Sequence, residues 1–370
     1  MLISPYCEEH VPQVRAFNER LQRAGSSFQF GAQPSQSSAS SSKTHEIRSE
    51  HFLAIDDGGC VRGAYALAFH HFMIGGIREQ VAFLQIPISE GSVNPAFGAV
   101  GLFLVKDAMR RSPLLFGLGM GGIDHPLPRL FRALGARVCE VAFFFQVLRP
   151  RAFLKNAAAF RATAYLRTAS QVAAMTGVAD IAVAAINALK RRGAMPRRHL
   201  RIESVSEFPV STDETWKIAA PKYSFISIRD HQTLNHLYSS RDPRFHRLLV
   251  YENGNLVGWA LATDSQMRDH NHFGDMRVAA IVNCLARPGH EDAVINGATY
   301  YLRDRGVDLI VSNQLHPDWQ SALHQAGYLT YSSNFVLAIA PALRDKLKML
   351  QIPFERIHIN RGDGDGPYNL

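Results

Sequence analysis

The side chains that could carry out acid–base chemistry follow apolar, strand-like segments of this sequence. Glu90 comes after one such segment, and Asp124 and His125 come after the next. Late in the chain, Asn313 and His316 follow a similar segment. At the carboxyl ends of central strands, a general base can reach the proton of a nucleophile. We therefore predict catalytic roles for the carboxylates and histidines of this set, and substrate binding for Asn313.

Structural roles are open to the same residues. His316 could cap a helix or be a buried histidine, and Asp124 could be the N-cap carboxylate before a His-Pro helix. Glu90 could be a solvated loop acid. The residue types alone leave both interpretations standing.

A glycine-bearing turn at residues 94–101 joins an apolar strand to a predicted helix. The N–H groups and the dipole at a helix start favour an anion, provided that small residues let it approach the backbone. We predict that this turn binds phosphate through Gly98, Ala99, Val100 and Gly101. A tight turn without a ligand is the alternative.

The corresponding turn in the second half runs from Arg287 to Ala293 and contains Glu291 and Asp292. Carboxylates at this place repel an anion, so we expect no phosphate there.

The two halves of the sequence repeat one plan. In each half a hairpin with a glycine in its second strand is followed by a strand, a helix, another strand and a helix that ends at glycine. Gly63 corresponds to Gly258 and Gly135 to Gly327, at an offset of roughly 190 residues, which indicates a duplicated domain. Hairpins followed by alternating helices and strands predict an α/β fold, specifically a mixed α+β sheet covered by helices.

This order, the glycine-bearing strand-to-helix turn and the helix ending in "ALGA" resemble the GNAT (Gcn5-related N-acetyltransferase) superfamily. The resemblance covers most of residues 1–150 and 200–345. It implies two tandem GNAT-like domains of the bacterial acyl-CoA N-acyltransferase kind. The expected boundaries are 1–152 for the first domain, 153–199 for a helical connector, 200–345 for the second domain and 346–370 for a C-terminal tail.

The resemblance also implies a cofactor and a reaction. The turn at Gly98–Gly101 would hold the pyrophosphate of an acyl-CoA co-substrate, acetyl-CoA or a longer one. In the family, a tyrosine protonates the departing thiolate, but Phe131 and Leu323 stand at the two matching positions. A thiolate is stable enough near neutral pH to need little help.

The expected acceptor is an amine on a small metabolite, an amino sugar or a cell-surface polysaccharide precursor. We expect the second copy to recognise it, with His316 orienting or deprotonating the nucleophile, Trp319 packing on it, and Asp363 and Asp365 of the tail closing the cleft. Two alternatives remain: an aminoacyl-tRNA-dependent transferase of the peptidoglycan cross-bridge type, and a non-catalytic module that binds acyl-CoA or a partner.

Composition limits the other classes. The net charge of +8 and pI near 9.4 suit anionic partners. The four cysteines are far apart, so we predict neither disulfides nor a metal site. No secretory signal opens the sequence, so we expect a cytoplasmic protein, with the basic end of the connector free to meet the inner face of a membrane. Nucleic acid is disfavoured, and the oligomeric state is not predicted.

Overall fold

The computed structural model describes residues 1–34, 47–156 and 200–365. Apart from a short helix at its start, the predicted helical connector 153–199 lies outside the described residues. The chain divides into two compact units. Unit 1 consists of Met1–Glu140 and Asn334–Ile352, and unit 2 consists of Val141–Ser333 and Pro353–Leu370.

Unit 1 contains a mixed sheet with helices. Its elements are β1 Leu2–Pro5, α1 Val11–Arg23, β2 Arg48–Ile55, β3 Val61–Ile74, β4 Ile77–Ser89, α2 Val100–Arg111, β5 Leu115–Met120, α3 Pro126–Ala133, β6 Arg137–Glu140, β15 Phe335–Ile339 and α9 Pro341–Met349. The strand order is β1-β2-β3-β4-β5-β15-β6. Among the described pairings in this order, β4–β5 is parallel and the others are antiparallel.

Unit 2 repeats this architecture. Its elements are β7 Ala142–Val147, α4 Pro150–Asn156, β8 Leu200–Val205, α5 Thr212–Ala219, β9 Phe225–Ser227, α6 His231–Leu237, β10 Phe245–Glu252, β11 Asn255–Gln266, β12 Arg277–Ala286, α7 Glu291–Asp304, β13 Leu309–Gln314, α8 Pro317–Gln325, β14 Leu329–Tyr331 and β16 Ile357–His358. The sheet order is β14-β7-β13-β12-β11-β10-β8, and β12 and β13 are parallel. Strands β9 and β16 pair in parallel.

The glycines that mark the repeat have equivalent surroundings in the two units. Gly63 pairs with Ala54 beside a β-bulge, and Gly258 pairs with Val250 beside a β-bulge at the same place. A Cβ on Gly63 would lie 2.7 Å from the Val100 side chain. A Cβ on Gly258 would overlap a valine of α7 in the same way. Glycine lets each helix pack closely on its strand.

The helices α3 and α8 also end alike. Gly135 and Gly327 have φ values of +83° and +90°, which glycine adopts without strain. The residue after each glycine donates its N–H to the carbonyl five residues earlier, which closes the helix with a Schellman motif. The duplicated plan therefore extends to the details of the turns.

The closing strand of each half belongs to the unit formed by the other half. Strand β15, from the second half, inserts between β5 and β6 of unit 1. Strand β7, from the first half, inserts between β13 and β14 of unit 2. The sequential boundaries predicted above are corrected accordingly: 141–152 fall in unit 2, 334–345 fall in unit 1, and the predicted tail is divided at Ile352. Both closing strands are apolar, so the sequence does not indicate which of the two sheets each strand joins.

Each unit has its own apolar core. The core of unit 2 is built around the sheet and helices α7 and α8, with Trp319 fully buried. One core of unit 1 lies between the sheet and helices α2 and α3. Among the helices described, none is long and apolar enough to cross a membrane.

Candidate functional site

The parallel strands β4 and β5 of unit 1 pair only over a short stretch. Residues 82–84 pair with 115–117, and the described residues show no register pair beyond them, although β4 continues to Ser89 and β5 to Met120. A bulge in β4 places Ile86 at φ +44° with nearly half of its side chain exposed. Ligands of open α/β sheets bind outside the carboxyl ends of strands, where the strand order leaves a crevice. This split in the sheet is the first part of the candidate site.

Ten residues, which include the short 3-10 helices Glu90–Ser92 and Pro95–Phe97, connect the end of β4 to the N-terminus of α2. Gly98 and Ala99 are exposed. Ala99 is the N-cap residue of α2, and its methyl side chain cannot cap the helix N–H groups. This helix has no acidic residue in its first turn. A Cβ on Gly101 would approach only the Ser89 side chain, at 4.0 Å, so there is space above the backbone. The Gly98 N–H already donates to the Pro95 carbonyl at 3.0 Å, so within the predicted set the N–H groups of Ala99, Val100 and Gly101 lie at the helix start that fits a phosphate.

Glu90 does not lie free at the strand end. It is buried, and its carboxylate accepts hydrogen bonds from Arg62 and Arg20, each at 3.0 Å at the closest. Arg62 also pairs with Asp56 at 2.7 Å. Since two guanidinium groups occupy its oxygens, Glu90 holds the end of β4 against α1. This structural role corrects the predicted catalytic one.

Asp124 and His125 lie in the loop after β5, and both are exposed. His125 is the N-cap residue of α3, but its side chain makes no capping bond. Its ring lies over Gly121, where a Cβ would come within 2.5 Å of Nδ1. The structure thus presents an exposed imidazole and an exposed carboxylate at the carboxyl end of β5, as predicted for the strand ends of the first copy.

The positions matching the family tyrosine are buried. Phe131 and Leu323 are both fully inaccessible and belong to the apolar cores of units 1 and 2. Neither position can present a proton donor to a leaving group.

In unit 2, the N-terminus of α7 is occupied by a carboxylate of the same chain. The Gly289 N–H donates to Glu291 Oε2 at 3.0 Å, and Lys222 pairs with Glu291 Oε1 at 2.6 Å. Lys222 also pairs with Asp318. The position that corresponds to the predicted phosphate site of unit 1 is therefore taken by Glu291.

The split between β12 and β13 is also occupied. Residues 278–281 pair with 309–312, and the segment that follows β16 lies beyond that point. The Leu315 N–H donates to the Ile359 carbonyl at 3.0 Å, and Gln314 and Asn360 form an antiparallel bridge. Asn360 Nδ2 donates to Asn283 Oδ1 at 3.0 Å.

The tail residue Asp363 is an internal ion-pair partner. It pairs with Arg229 at 2.9 Å, with side-chain exposures of 2% and 1%. Ser227 donates to the same carboxylate at 2.5 Å. Asp365 follows in a turn and is partly exposed. The prediction that Asp363 closes over an acceptor is corrected, because its carboxylate is already used inside unit 2.

His316 and Asn313 lie at the end of β13, as predicted, but both are buried. His316 is the N-cap of α8: its Nδ1 accepts from the Asp318 N–H at 3.2 Å, and burial lowers its pKa. Asn313 Oδ1 accepts from Arg361 at 3.1 Å, and burial lowers the pKa of Arg361 to about 10. The geometry gives both residues structural roles in place of acceptor chemistry.

Trp319 is a core residue rather than a contact for an acceptor. Its side chain has 0% exposure, and its Nε1 donates to the Tyr223 hydroxyl at 3.1 Å. The prediction that it packs on a substrate is wrong. The one-turn spacing from His316 gave no information on which face of α8 is buried.

Within the described residues, one cluster of potential metal ligands lies outside this site. Cys7, Glu9 and His10 bring one ligand atom each within 4.8 Å of the others, near the N-terminus of α1. The Cys7 and His10 side chains accept each other's backbone N–H in a capping box, which explains why they lie together.

No family model matches the sequence, and no curated protein sequence matches it. Solved structures do. A GCN5-related N-acetyltransferase from Anabaena variabilis matches with a TM-score of 0.50 and 10% identity, over 91% of this chain and 72% of that one. The N-myristoyltransferase of Saccharomyces cerevisiae, solved with bound myristoyl-CoA and inhibitors, matches with a TM-score of 0.51 and 10% identity, over 92% of this chain and 80% of that one. The chain has the GNAT fold. The predicted GNAT resemblance and mixed-sheet fold class are confirmed.

The residues that hold the segment Ile357–Asp363 within the GNAT-fold unit 2 were not predicted from the sequence. These are Arg229, Tyr238, Asn283, Asn360 and Gly362. One signal was present: the apolar residues Ile357 and Ile359 alternate with polar ones, which is typical of a strand.

Proposed function

We propose that this chain is an N-acyltransferase that moves an acyl group from acyl-CoA to an amine, and that acyl-CoA binds in unit 1. The observation that carries the proposal is the exposed, acid-free N-terminus of α2 beside the split of β4 and β5. An acyl-CoA carries a pyrophosphate that suits the helix start. Its extended pantetheine amides suit unpaired strand edges.

Unit 2 offers neither feature in an open form. Glu291 occupies the start of α7, and the segment with Ile359 and Asn360 occupies the split between β12 and β13. The myristoyl-CoA bound to the yeast enzyme supports acyl-CoA as the class of co-substrate, since that protein shares the fold.

The chemistry requires a neutral amine at the thioester carbonyl. The amine nitrogen bonds to the carbonyl carbon, the carbon–sulfur bond breaks, and CoA leaves as a thiolate. One proton must leave the nitrogen. We assign its removal to His125, with Asp124 beside it, because both are exposed at the carboxyl end of β5. Histidine is the side chain that most often serves as a general base.

The proposed acceptor is a primary amine on a small metabolite, an amino sugar or a polysaccharide precursor. With no phenol at Phe131 or Leu323, the thiolate leaves without an acid from that helix position. We therefore expect turnover to depend more on the base that removes the amine proton than on an acid that protonates the thiolate.

The test is calorimetric titration with acetyl-CoA and longer acyl-CoAs, followed by thiol release with a panel of amines. We expect His125→Gln to lower thiol release by about 100-fold, the usual contribution of a general base, with acyl-CoA affinity unchanged. His272→Gln, at an exposed histidine of unit 2, is the matched control. If no acyl-CoA binds, the proposal is wrong.

A second candidate is an acyl-CoA-binding protein without transferase activity. Buried apolar residues, Phe131 and Leu323, stand where the family has its tyrosine, so both units lack that acid. This difference favours the second candidate. Tight acyl-CoA binding with no thiol release above the uncatalysed rate, across amines and pH values, would select this candidate.

A further inference from the structure

The segment Ile357–Asp363 lies within unit 2 as an extended ligand would. Its first two residues form β16, which pairs in parallel with β9 through Ile357–Phe225 and His358–Ile226. Ile359 and Asn360 then bond to the end of β13 through Leu315 and Gln314. The segment therefore satisfies backbone groups that the end of the β12–β13 pairing leaves open.

The fit at Gly362 is specific for glycine. A Cβ there would lie 2.8 Å from the Tyr238 hydroxyl and 2.9 Å from the Asn283 side chain. The same hydroxyl donates to the Gly362 carbonyl at 3.2 Å and accepts from Asn283 Nδ2 at 3.0 Å. The wall of the cleft thus recognises the backbone of the segment and excludes larger side chains.

A buried ion pair fixes the end of the segment. Arg229 pairs with Asp363 at 2.9 Å and also donates to the Cys284 carbonyl on β12 at 3.1 Å. Asp363 accepts the Asn360 N–H at 2.9 Å, which turns the segment back on itself. Loss of either charge would leave the other buried and uncompensated.

We propose that unit 2 is a peptide-binding cleft whose resident ligand is the chain's own segment Ile357–Asp363, and that this ligand excludes acyl-CoA from unit 2. The exclusion of acyl-CoA rests on the proposed function, whereas the peptide cleft does not. In the same unit, Glu291 accepts the Gly289 N–H at the start of α7. The two GNAT-fold units have therefore diverged: unit 1 takes a diffusible co-substrate, and unit 2 holds a peptide.

The test is hydrogen exchange measured by mass spectrometry on the full chain. We compare the wild type with Gly362→Val, which overlaps Tyr238 and Asn283, and with Gly364→Ala, a control at extended backbone with φ −138°. In the wild type and the control, residues 357–363 should exchange at least about 100-fold more slowly than an unfolded chain. In Gly362→Val, exchange should rise in 357–363 and at 309–316, while β3 and β4 stay unchanged.

A second arm adds a synthetic peptide of residues 353–365 to the Gly362→Val protein. The peptide should restore slow exchange at 309–316, and an Asp363→Asn peptide should bind at least about 10-fold more weakly.

Wild-type residues 357–363 exchanging as an unfolded chain would overturn the peptide cleft, whether or not the variant folds. Two acyl-CoA molecules per wild-type chain would overturn the exclusion. No acyl-CoA binding at all would refute the proposed function and leave hydrogen exchange to decide the cleft.

Discussion

At the level of single residues, close packing between a strand and a helix depends on two glycines. A Cβ on Gly258 would lie 2.5 Å from the Leu285 carbonyl oxygen and 3.0 Å from the Ala286 Cα, both backbone atoms that cannot rotate away. A Cβ on Gly63 meets mainly side chains, those of Val100 and Leu104. We predict that Gly258→Ala lowers the free energy of unfolding by about 1–3 kcal/mol and that Gly63→Ala costs less.

Urea denaturation measures both, with Gly101→Ala as control. Gly101 is helical, and a Cβ there has space, so alanine should be neutral or stabilise by up to about 1 kcal/mol. Equal destabilisation by all three substitutions would contradict the packing argument.

His358 gives unit 2 a predictable pH dependence. It is fully buried and faces Arg229, Lys222 and His316, so burial and nearby positive charge hold its pKa well below 6.5. Below about pH 6.5 the unfolded chain takes up a proton that the folded chain refuses. Stability should therefore fall as pH drops below 6.5, by about 1.4 kcal/mol per pH unit for this group.

Urea denaturation from pH 7.5 to 5 checks this prediction. His358→Asn should flatten the acid side of the stability curve, whatever its cost at neutral pH, and His272→Gln at an exposed position should leave the curve as in the wild type. A His358→Asn curve parallel to the wild type would show that another group controls the acid side.

The residue types at the strand ends were predictable, but their partners were not. Glu90 meets Arg20 across 70 positions, and Asp363 meets Arg229 across 134. Side chains that far apart in sequence are brought together only by the packed fold. The sequence therefore indicated which strand ends are polar and could not tell an exposed side chain, such as that of His125, from a buried ion pair.

At the level of elements, the start of α2 provides a test that separates stability from binding. Gly98 has ordinary helical φ, so Gly98→Asp adds a carboxylate without strain in φ, and its Cβ would lie 3.2 Å from the Pro95 carbonyl oxygen. Negative charge at a helix start stabilises the helix by a few tenths of a kcal/mol to about 1 kcal/mol. The same charge should repel the pyrophosphate, so we predict at least about 10-fold weaker acyl-CoA binding, with stability equal to or above that of Gly98→Asn, which makes the same Cβ contact.

Gly98→Asn, a neutral side chain of equal size, is the control for bulk. Calorimetry should show that it retains most of the affinity. Equal losses in the two variants would mean that size rather than charge matters at this position.

The insertion of each closing strand into the unit formed by the other half can also be tested by mutation. Leu337 of β15 is buried and pairs with Leu118 and Cys139, so Leu337→Ala should leave a cavity in unit 1, at a cost of about 2–5 kcal/mol. Hydrogen exchange should then rise in β5 and β6 and not in β13. Phe144→Leu, on β7, should give the opposite pattern. Faster hydrogen exchange in β13 after Leu337→Ala would contradict the placement of β15 in unit 1.

For the whole molecule, the repeat in the sequence predicted the fold but not the assignment of its last strands. The glycine-marked turns and the strand–helix order specify two GNAT-fold units, because they depend on local backbone geometry. The closing strands 142–147 and 335–339 are both apolar and fit either sheet. The filling of unit 2 by Ile357–Asp363 depends on contacts with β9, β12 and β13 that no local pattern encodes.

The central claim is that acyl-CoA occupies unit 1 and not unit 2. Hydrogen exchange of the full chain with and without saturating acyl-CoA tests it in one measurement. We predict that acyl-CoA slows exchange at residues 85–101 and 117–125, and leaves 287–294 and 313–316 unchanged. Slower exchange at 287–294 with no change at 85–101 would contradict the account.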